Sequence, residues 1–389
     1  VFLTLLFNLF SFVIKRHASI IHWPTGRDLN IYHQCNKRIY KGFYMNNVRP
    51  LVYLITALTS ASVMAQTPVP AVSTVDAHYV APSGKITLAP GDKIDNLHQR
   101  NMEQPYILQK IGERTYYVQR YFYSTTFYVG DKGVLLFDAP EGRGQFLLQA
   151  IREITPLPVT TLVYSHYHVD HIGDSPFWVS EAQKAGAKLQ IVASEATVEK
   201  MRFMNSRLPV ADRVLKSADN RFTFENLTVE LHRFLKAAHT DDHSAWLLKE
   251  EKVVHSPDLL NPDQLPMMGF AVSDTVVYHD ANLRQVEALD WNYFVGGHGN
   301  VGSRDDFQFQ RRFLNDLREA TLKARKEEAF GKFMNKTANN HAEFARAQRE
   351  AIIKRVTEAL RPQYGHMYGY DASMPANVEL AIRLVGSYY

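Results

Sequence analysis

Ser165-His166-Tyr167-His168-Val169-Asp170-His171-Ile172-Gly173 places three imidazoles and a carboxylate within six residues. Zinc and its neighbours take imidazole nitrogen and carboxylate oxygen, and a loop leaving a strand can turn alternate side chains toward one point. The run just before it, residues 160–164, is short, apolar and β-prone, so the histidines fall where a buried strand ends. This spacing is improbable by chance, and a metal site is the better explanation for it.

Outward from the motif toward the N-terminus, residues 143–154 have a helical pattern that Pro156 and Pro158 end. Before that, residues 115–120, 124–129 and 133–138 are β-prone runs separated by polar or glycine-containing turns, which predicts an antiparallel meander. Val134-Leu135-Leu136-Phe137 is apolar on both faces and predicts a buried strand. Toward the C-terminus, helices are expected at about 181–185, 195–205 and 282–289. Strands are expected at 189–193, 227–234, 245–248, 252–255 and 293–295. Sheets covered by helices follow from this alternation, an α/β class. Beyond Asp305 the pattern is helical, with amphipathic runs at 309–326 and 342–360, expected to pack on the core rather than to form a separate binding module.

The N-terminal end is unlike the rest. Residues 51–64 are apolar, a short basic start (Met45-Asn-Asn-Val-Arg49) precedes them, and Val63-Met-Ala65 supplies small residues at a cleavage position. We therefore expect a signal peptide at 45–65, with 1–44 as an upstream segment outside the natural protein and 66–104 as either a linker or an N-terminal arm that drapes over the domain, of little chemistry. The apolar run is too short to cross a bilayer comfortably. Residues 1–65 carry seven Lys/Arg against one Asp/Glu, so the formal +4 of the chain becomes −2 without them, and no basic run remains for nucleic acid. Cys35 is the one cysteine and falls in that segment, which leaves histidine and carboxylates to hold any metal.

Over residues 105–304 the sequence resembles the metallo-β-lactamase superfamily, whose defining motif is His-x-His-x-Asp-His after a strand. Further positions match in order: His239 in Ala238-His-Thr-Asp241, Asp258 in Val254-His-Ser-Pro-Asp-Leu259, and His298 in Gly296-Gly-His-Gly299. The resemblance implies an αββα sandwich with a helical C-terminal region at 305–389. It also implies two zinc ions per chain: His166, His168 and His239 on one, Asp170, His171 and His298 on the other, and Asp258 between them. Asp138 falls where the family often has an aspartate supporting the metal loop. Two departures stand out: Pro257 where many relatives have glycine before the bridging aspartate, and His239-Thr-Asp-Asp-His243 where many lactonase and glyoxalase II relatives have His-Thr-Pro-Gly-His. His243 and His255 are expected outside the ligand set, and Asp241 and Asp242 are candidates to orient a ligand histidine.

Tyr116, Tyr117, Tyr121, Phe122 and Tyr123 form an aromatic cluster that either lines a cleft from a hairpin or packs in the core. Met267, Met268 and Phe270 are candidates for a pocket wall or lid, and Trp246 for the core. The resemblance implies a hydrolase acting through a metal-bound hydroxide, with Asp170 as ligand and proton shuttle, on a small-molecule cyclic ester, amide or related ester. Asp258 favours a lactonase-like substrate over a β-lactam, since the β-lactamase branch lacks the bridging carboxylate. The expected location is periplasmic or secreted. A β-lactamase, a mononuclear iron dioxygenase of the same superfamily and a catalytically inactive metal-binding protein are the alternatives.

Overall fold

Alternation along two apolar runs builds the architecture. In Val134–Phe137, Leu135 and Phe137 pack between two sheets, whereas Val134 and Leu136 pack outward against helices. In Ser244–Leu248 of the other sheet, Trp246 and Leu248 join the same inter-sheet core while Ala245 and Leu247 face a second helical layer. A strand apolar on both faces must be covered on both. The result is the expected αββα sandwich.

The structure, a computed structural model, describes residues 73–334 and 340–386. The upstream segment, the signal peptide, Cys35 and the start of the arm lie outside the described residues. Strands β1 (Tyr79–Val80) and β2 (Lys93–Ile94) pair in parallel, and α1 (Leu97–Glu103) follows. The seven-stranded sheet is then built in chain order. β3 (Ile107–Lys110), β4 (Thr115–Arg120), β5 (Tyr123–Val129) and β6 (Val134–Phe137) form the antiparallel meander. Helix α2 (Gly144–Ile154) carries the chain to β7 (Val159–Val163), which is parallel to β6. The short α3 (Val169–Ile172), α4 (Ser175–Lys184), β8 (Gln190–Ser194), α5 (Glu195–Phe203) and β9 (Arg213–Leu215) complete this half. Leu147, Ala150 and Ile151 of α2, at helical spacing, are the apolar side chains it buries in the layer outside the sheet.

The six-stranded sheet runs from β10 (Arg221–Phe224) through β11 (Leu227–Arg233), β12 (Ser244–Leu248) and β13 (Val253–His255) to β14 (Tyr293–Val295) and β15 (Val301–Gly302). Helix α6 (His279–Glu287) lies in the crossover between β13 and β14, and its Leu283 and Val286 bury against the outer face of the sheet. Then come α7 (Arg304–Glu327), α8 (His341–Tyr364) and α9 (Tyr370–Gly386). These pack through Phe313, Leu317, Val356 and Val378 and take in Leu265, Phe270 and Val276. Among the described residues no helix is long and apolar enough to cross a membrane.

Of the two alternatives for the N-terminal stretch, its described part is a packed arm: Leu88, Ile94 and Leu97 enter the inter-sheet core, and Lys93, fully buried, pairs with Asp306 of α7 at 2.5 Å. Helix α9 falls in the region expected to be helical, but its limits are not legible in the sequence because Pro375 stands inside it.

Candidate metal centre

The site is assembled by four loops, each at the end of a strand. The loop after β7 carries His166 and His168 and runs into α3, which carries Asp170 and His171. His239 follows β11, Asp258 follows β13 and His298 follows β14. All seven residues nominated from sequence fall into two groups of converging donor atoms, His166, His168, His239 and Asp258, and Asp170, His171 and His298. Within each group the donors lie within 4.8 Å of one another.

In the first group His239 Nε2 is 3.1 Å from His168 Nδ1 and 3.3 Å from His166 Nε2. Ligand atoms held about 2.0–2.1 Å from a tetrahedral zinc stand roughly 3.3 Å apart, so the trio has the spacing such an ion requires. Asp258 Oδ2 lies 3.3 Å from His239 Nε2, 3.6 Å from His166 Nε2 and 2.9 Å from His171 Nε2, while its Oδ1 lies 3.2 Å from His298 Nε2. The carboxylate therefore faces both groups. His171 Nε2 is also 3.5 Å from Asp170 Oδ2.

The backbone explains how these loops hold their side chains. Asp258 sits at φ 66°, and its amide donates to Gly296 O at 3.0 Å, tying its loop to the one that carries His298. Gly297 has φ 75°, and a Cβ there would come 2.6 Å from Pro257 Cβ and 2.8 Å from His171 Cε1. Only glycine lets these two loops approach so closely, which gives Gly296-Gly-His-Gly299 its meaning and Pro257 a packing partner. Asn282 of α6 clamps the His239 segment, accepting from Ala238 N at 2.8 Å and donating to Lys236 O at 2.9 Å.

Further groups fix ring orientation. His298 Nδ1 lies 2.7 Å from Phe122 O and donates to it, which leaves Nε2 as the lone-pair atom. Ser165 Oγ is 3.0 Å from His166 Nδ1. Asp138 is buried, accepts from Ser165 N at 2.8 Å, and pairs with His255 Nε2 at 2.9 Å. It therefore supports the metal loop and makes no contact with the donor groups. His255 and His243 are both buried. His243 packs its ring 5.4 Å from that of His239 and bonds Ser256 Oγ at 3.2 Å. Neither Asp241 nor Asp242 orients a ligand histidine: Asp241 is exposed and pairs with Lys200, Asp242 accepts from Thr240 Oγ1, and His239 Nδ1 has no hydrogen-bond partner.

Charge at the site suits cations. Burial lowers His166 well below the ordinary imidazole range and His239 to about 4, so both rings keep lone pairs at neutral pH. Burial alone would raise Asp258, yet His171, His239 and His298 hold it well below the usual carboxylate range. Burial lowers His171 too, but Asp258 outweighs it and raises this ring to about 9, so a metal binding here displaces a proton. Asp258 Oδ1 is buried with no hydrogen bond. Neutral imidazoles, an ionised carboxylate and a buried oxygen lacking a donor together fit a divalent, borderline-soft cation.

The aromatic cluster divides. Tyr116 and Tyr117 are core, whereas Tyr121 and Phe122 form the exposed tip of the β4–β5 hairpin. Tyr123 packs its ring 4.8 Å from that of His298, the two planes tilted by 59°, and burial, then Asp170, raises its phenol, which stays neutral. Nothing in the tyrosine spacing singles out Tyr123. Phe270 and Trp246 are buried, while Met268 is half exposed at the start of a left-handed turn.

These features place the protein among metallo-β-lactamase-fold metal-site proteins. Residues 119–298 match the model of the Metallo-beta-lactamase superfamily. Its members are mostly hydrolases, and some are not enzymes. Among solved structures, a metallo-beta-lactamase from Pontibacter korlensis is 19% identical, with a TM-score of 0.44, over 52% of this chain and 96% of that one. Metallo-beta-lactamase IND-7 is 18% identical, with a TM-score of 0.45, over 54% and 98%. No curated protein matches the chain.

Proposed function

We propose that the chain is an exported dinuclear zinc hydrolase that opens a cyclic ester, with related esters and amides accessible to the same chemistry. The observation that carries this reading is Asp258, whose carboxylate faces both donor groups, Oδ2 standing 3.3 Å from His239 of the first and 2.9 Å from His171 of the second, and Oδ1 3.2 Å from His298 of the second. A carboxylate between the groups supports a lactonase-like substrate over a β-lactam, because the resemblance gives the β-lactamase branch no such residue. Bound there, a zinc pair would polarise a substrate carbonyl and bring the pKa of water toward neutrality.

The chain's own residues do the rest. His298, fixed by the Phe122 carbonyl, and His166, fixed by Ser165, present their Nε2 atoms without reorientation. Asp170 is the one carboxylate of the site open to solvent, with a side chain 41% exposed. On this reading its carboxylate holds a proton from the nucleophile and returns it to the leaving oxygen. Export rests on the signal-like segment at 45–65.

The test is a panel of lactones, β-lactams, thioesters and phosphodiesters, with metal content measured alongside and His168→Ala as the control. Lactone turnover with two zinc ions per chain, lost in the variant, is expected. One iron and no hydrolysis would sink the reading in favour of an oxygenase, and zinc loading with no turnover in favour of an inactive metal binder.

A further inference from the structure

Arg143 stands near the second donor group and, among the described residues, has no acidic partner. It lies in the loop between β6 and α2, half-buried, with its guanidinium carbon 4.2 Å from the centre of the Tyr123 ring. That ring is 4.8 Å from the ring of His298 and 6.3 Å from that of His171. The two contacts in series keep the guanidinium within about 9 Å of the His298 ring.

The loop cannot drift from the motif. Ala139 N donates to His171 O at 2.7 Å and Glu141 N to Asp170 O at 3.3 Å, so it is hydrogen-bonded to α3 itself. Among the described residues no carboxylate forms an ion pair with Arg143, and its side chain donates to the Glu141 carbonyl. The acidic neighbours are engaged elsewhere or open to solvent. Asp174 takes the amides of Gly142 at 2.9 Å and Gly144 at 2.7 Å, Asp170 belongs to the donor group, and Glu141 is exposed.

A guanidinium offers five N–H donors in a rigid plane, and stacking on an aromatic ring fixes that plane while leaving its edge free. A fork of this kind, half-buried and lacking an anion, matches a carboxylate in two parallel hydrogen bonds. We infer that Arg143, braced on Tyr123, binds a carboxylate that the substrate carries a few bonds from its scissile carbonyl. The substrate class is thus an anionic ester or lactone. This deepens the hydrolase reading and rests on it for its kinetic test alone.

Two esters of equal chain length test it: 4-nitrophenyl hydrogen glutarate, which carries the carboxylate, and 4-nitrophenyl pentanoate, which does not. The wild-type protein is expected to favour the glutarate ester in kcat/KM by about tenfold or more, as a charged hydrogen-bonded pair allows. Arg143→Gln should collapse that ratio, chiefly through KM for the glutarate ester, and Arg143→Lys should restore part of it. No preference in the wild type, or an equal fall on both esters, would overturn the inference, the latter being the signature of an arginine that merely props up Tyr123. If neither ester is cleaved, the hydrolase reading is left to its own substrate panel, and calorimetric titration with glutarate decides the inference separately. Binding at least about tenfold weaker in Arg143→Gln supports the site, and equal affinity in both proteins overturns it.

Discussion

Asp138 and His255 pair at 2.9 Å beneath the metal loop, both fully buried, and the other oxygen of Asp138 takes the amide of Ser165. One carboxylate thus joins the ends of β6 and β13, from opposite sheets, to the first residue of the motif. Asp138→Ala would strand an amide and an imidazole in the interior, at about 3–5 kcal/mol of stability. Asp138→Asn keeps an acceptor for Ser165 and should cost roughly half as much, on the order of 1–3 kcal/mol. Zinc affinity should fall by about 10- to 100-fold in either, as when support behind ligands is removed. Urea unfolding and a competition titration measure the two effects, and a loss under about 1 kcal/mol for the alanine variant would show that Asp138 supports nothing.

Asp258 makes the two donor groups interdependent. His298→Ala should leave the first group intact and about one zinc per chain, whereas Asp258→Ala should weaken both positions, since its carboxylate faces both. Chelation should lower the thermal midpoint, because free metal at about 100 times its Kd stabilises by about 2.7 kcal/mol. Elemental analysis of each variant checks the pattern. Two zinc ions retained by Asp258→Ala would contradict the bridging role.

Much of this site was legible in the sequence because its residues are chemically scarce and sit at strand ends. The His166 to His171 spacing and the order His239, Asp258, His298 were visible without coordinates. What was hidden acts through backbone or through long-range partners. Phe122 contributes a carbonyl, Asn282 clamps a loop from a distant helix, and Arg143 differs from other surface arginines only by what lies beside it. Lys93 was hidden for the same reason. In a Pro- and Ala-rich arm it reads as solvated, but it is buried on Asp306 and the Val301 carbonyl. Strand limits came close wherever the apolar run was continuous, as at Thr115–Arg120 and Tyr293–Val295.

His279 gives the fold a pH dependence away from the donor groups. It is buried at the start of α6, where Gln310 Nε2 donates to its Nε2 at 3.1 Å. Burial, with a smaller push from His239, lowers it to about 4 against an ordinary 6.5. The unfolded chain therefore takes up this proton first. The contribution is fully present above 6.5 and is lost as pH falls toward 4, on the order of 2–3 kcal/mol by about pH 4.5. Urea midpoints of wild type and His279→Gln at about pH 7 and 4.5 isolate it. The variant should lose less stability between the two, and an identical loss would mean that His279 does not titrate in this range.

The turn after the Asp258 loop carries strain that a substitution can release. Met268, Gly269, Phe270, Ala271 and Val272 have φ of 21°, 74°, 54°, 55° and 57°, one left-handed turn closed by Ala271 N to Met267 O at 2.7 Å. Asn377 of α9 holds it, accepting from Gly269 N at 2.7 Å and Phe270 N at 3.1 Å and donating to Pro266 O at 2.8 Å. The next residues pair with the His239 segment, Asp274 N with His239 O at 3.0 Å and Thr275 N with Ala238 O at 2.8 Å, so the turn is docked against a ligand loop. A left-handed residue with a side chain costs roughly 1–2 kcal/mol, more for a β-branched one. Val272 is 68% exposed, so glycine there forfeits little burial. After the entropic cost of glycine, Val272→Gly should raise stability by about 0.5–1 kcal/mol. Val277→Gly, in an ordinary right-handed turn at another exposed valine, should lower it by a similar amount. Paired urea unfolding separates the two, and destabilisation by both would show that the left-handed turn stores no strain at Val272.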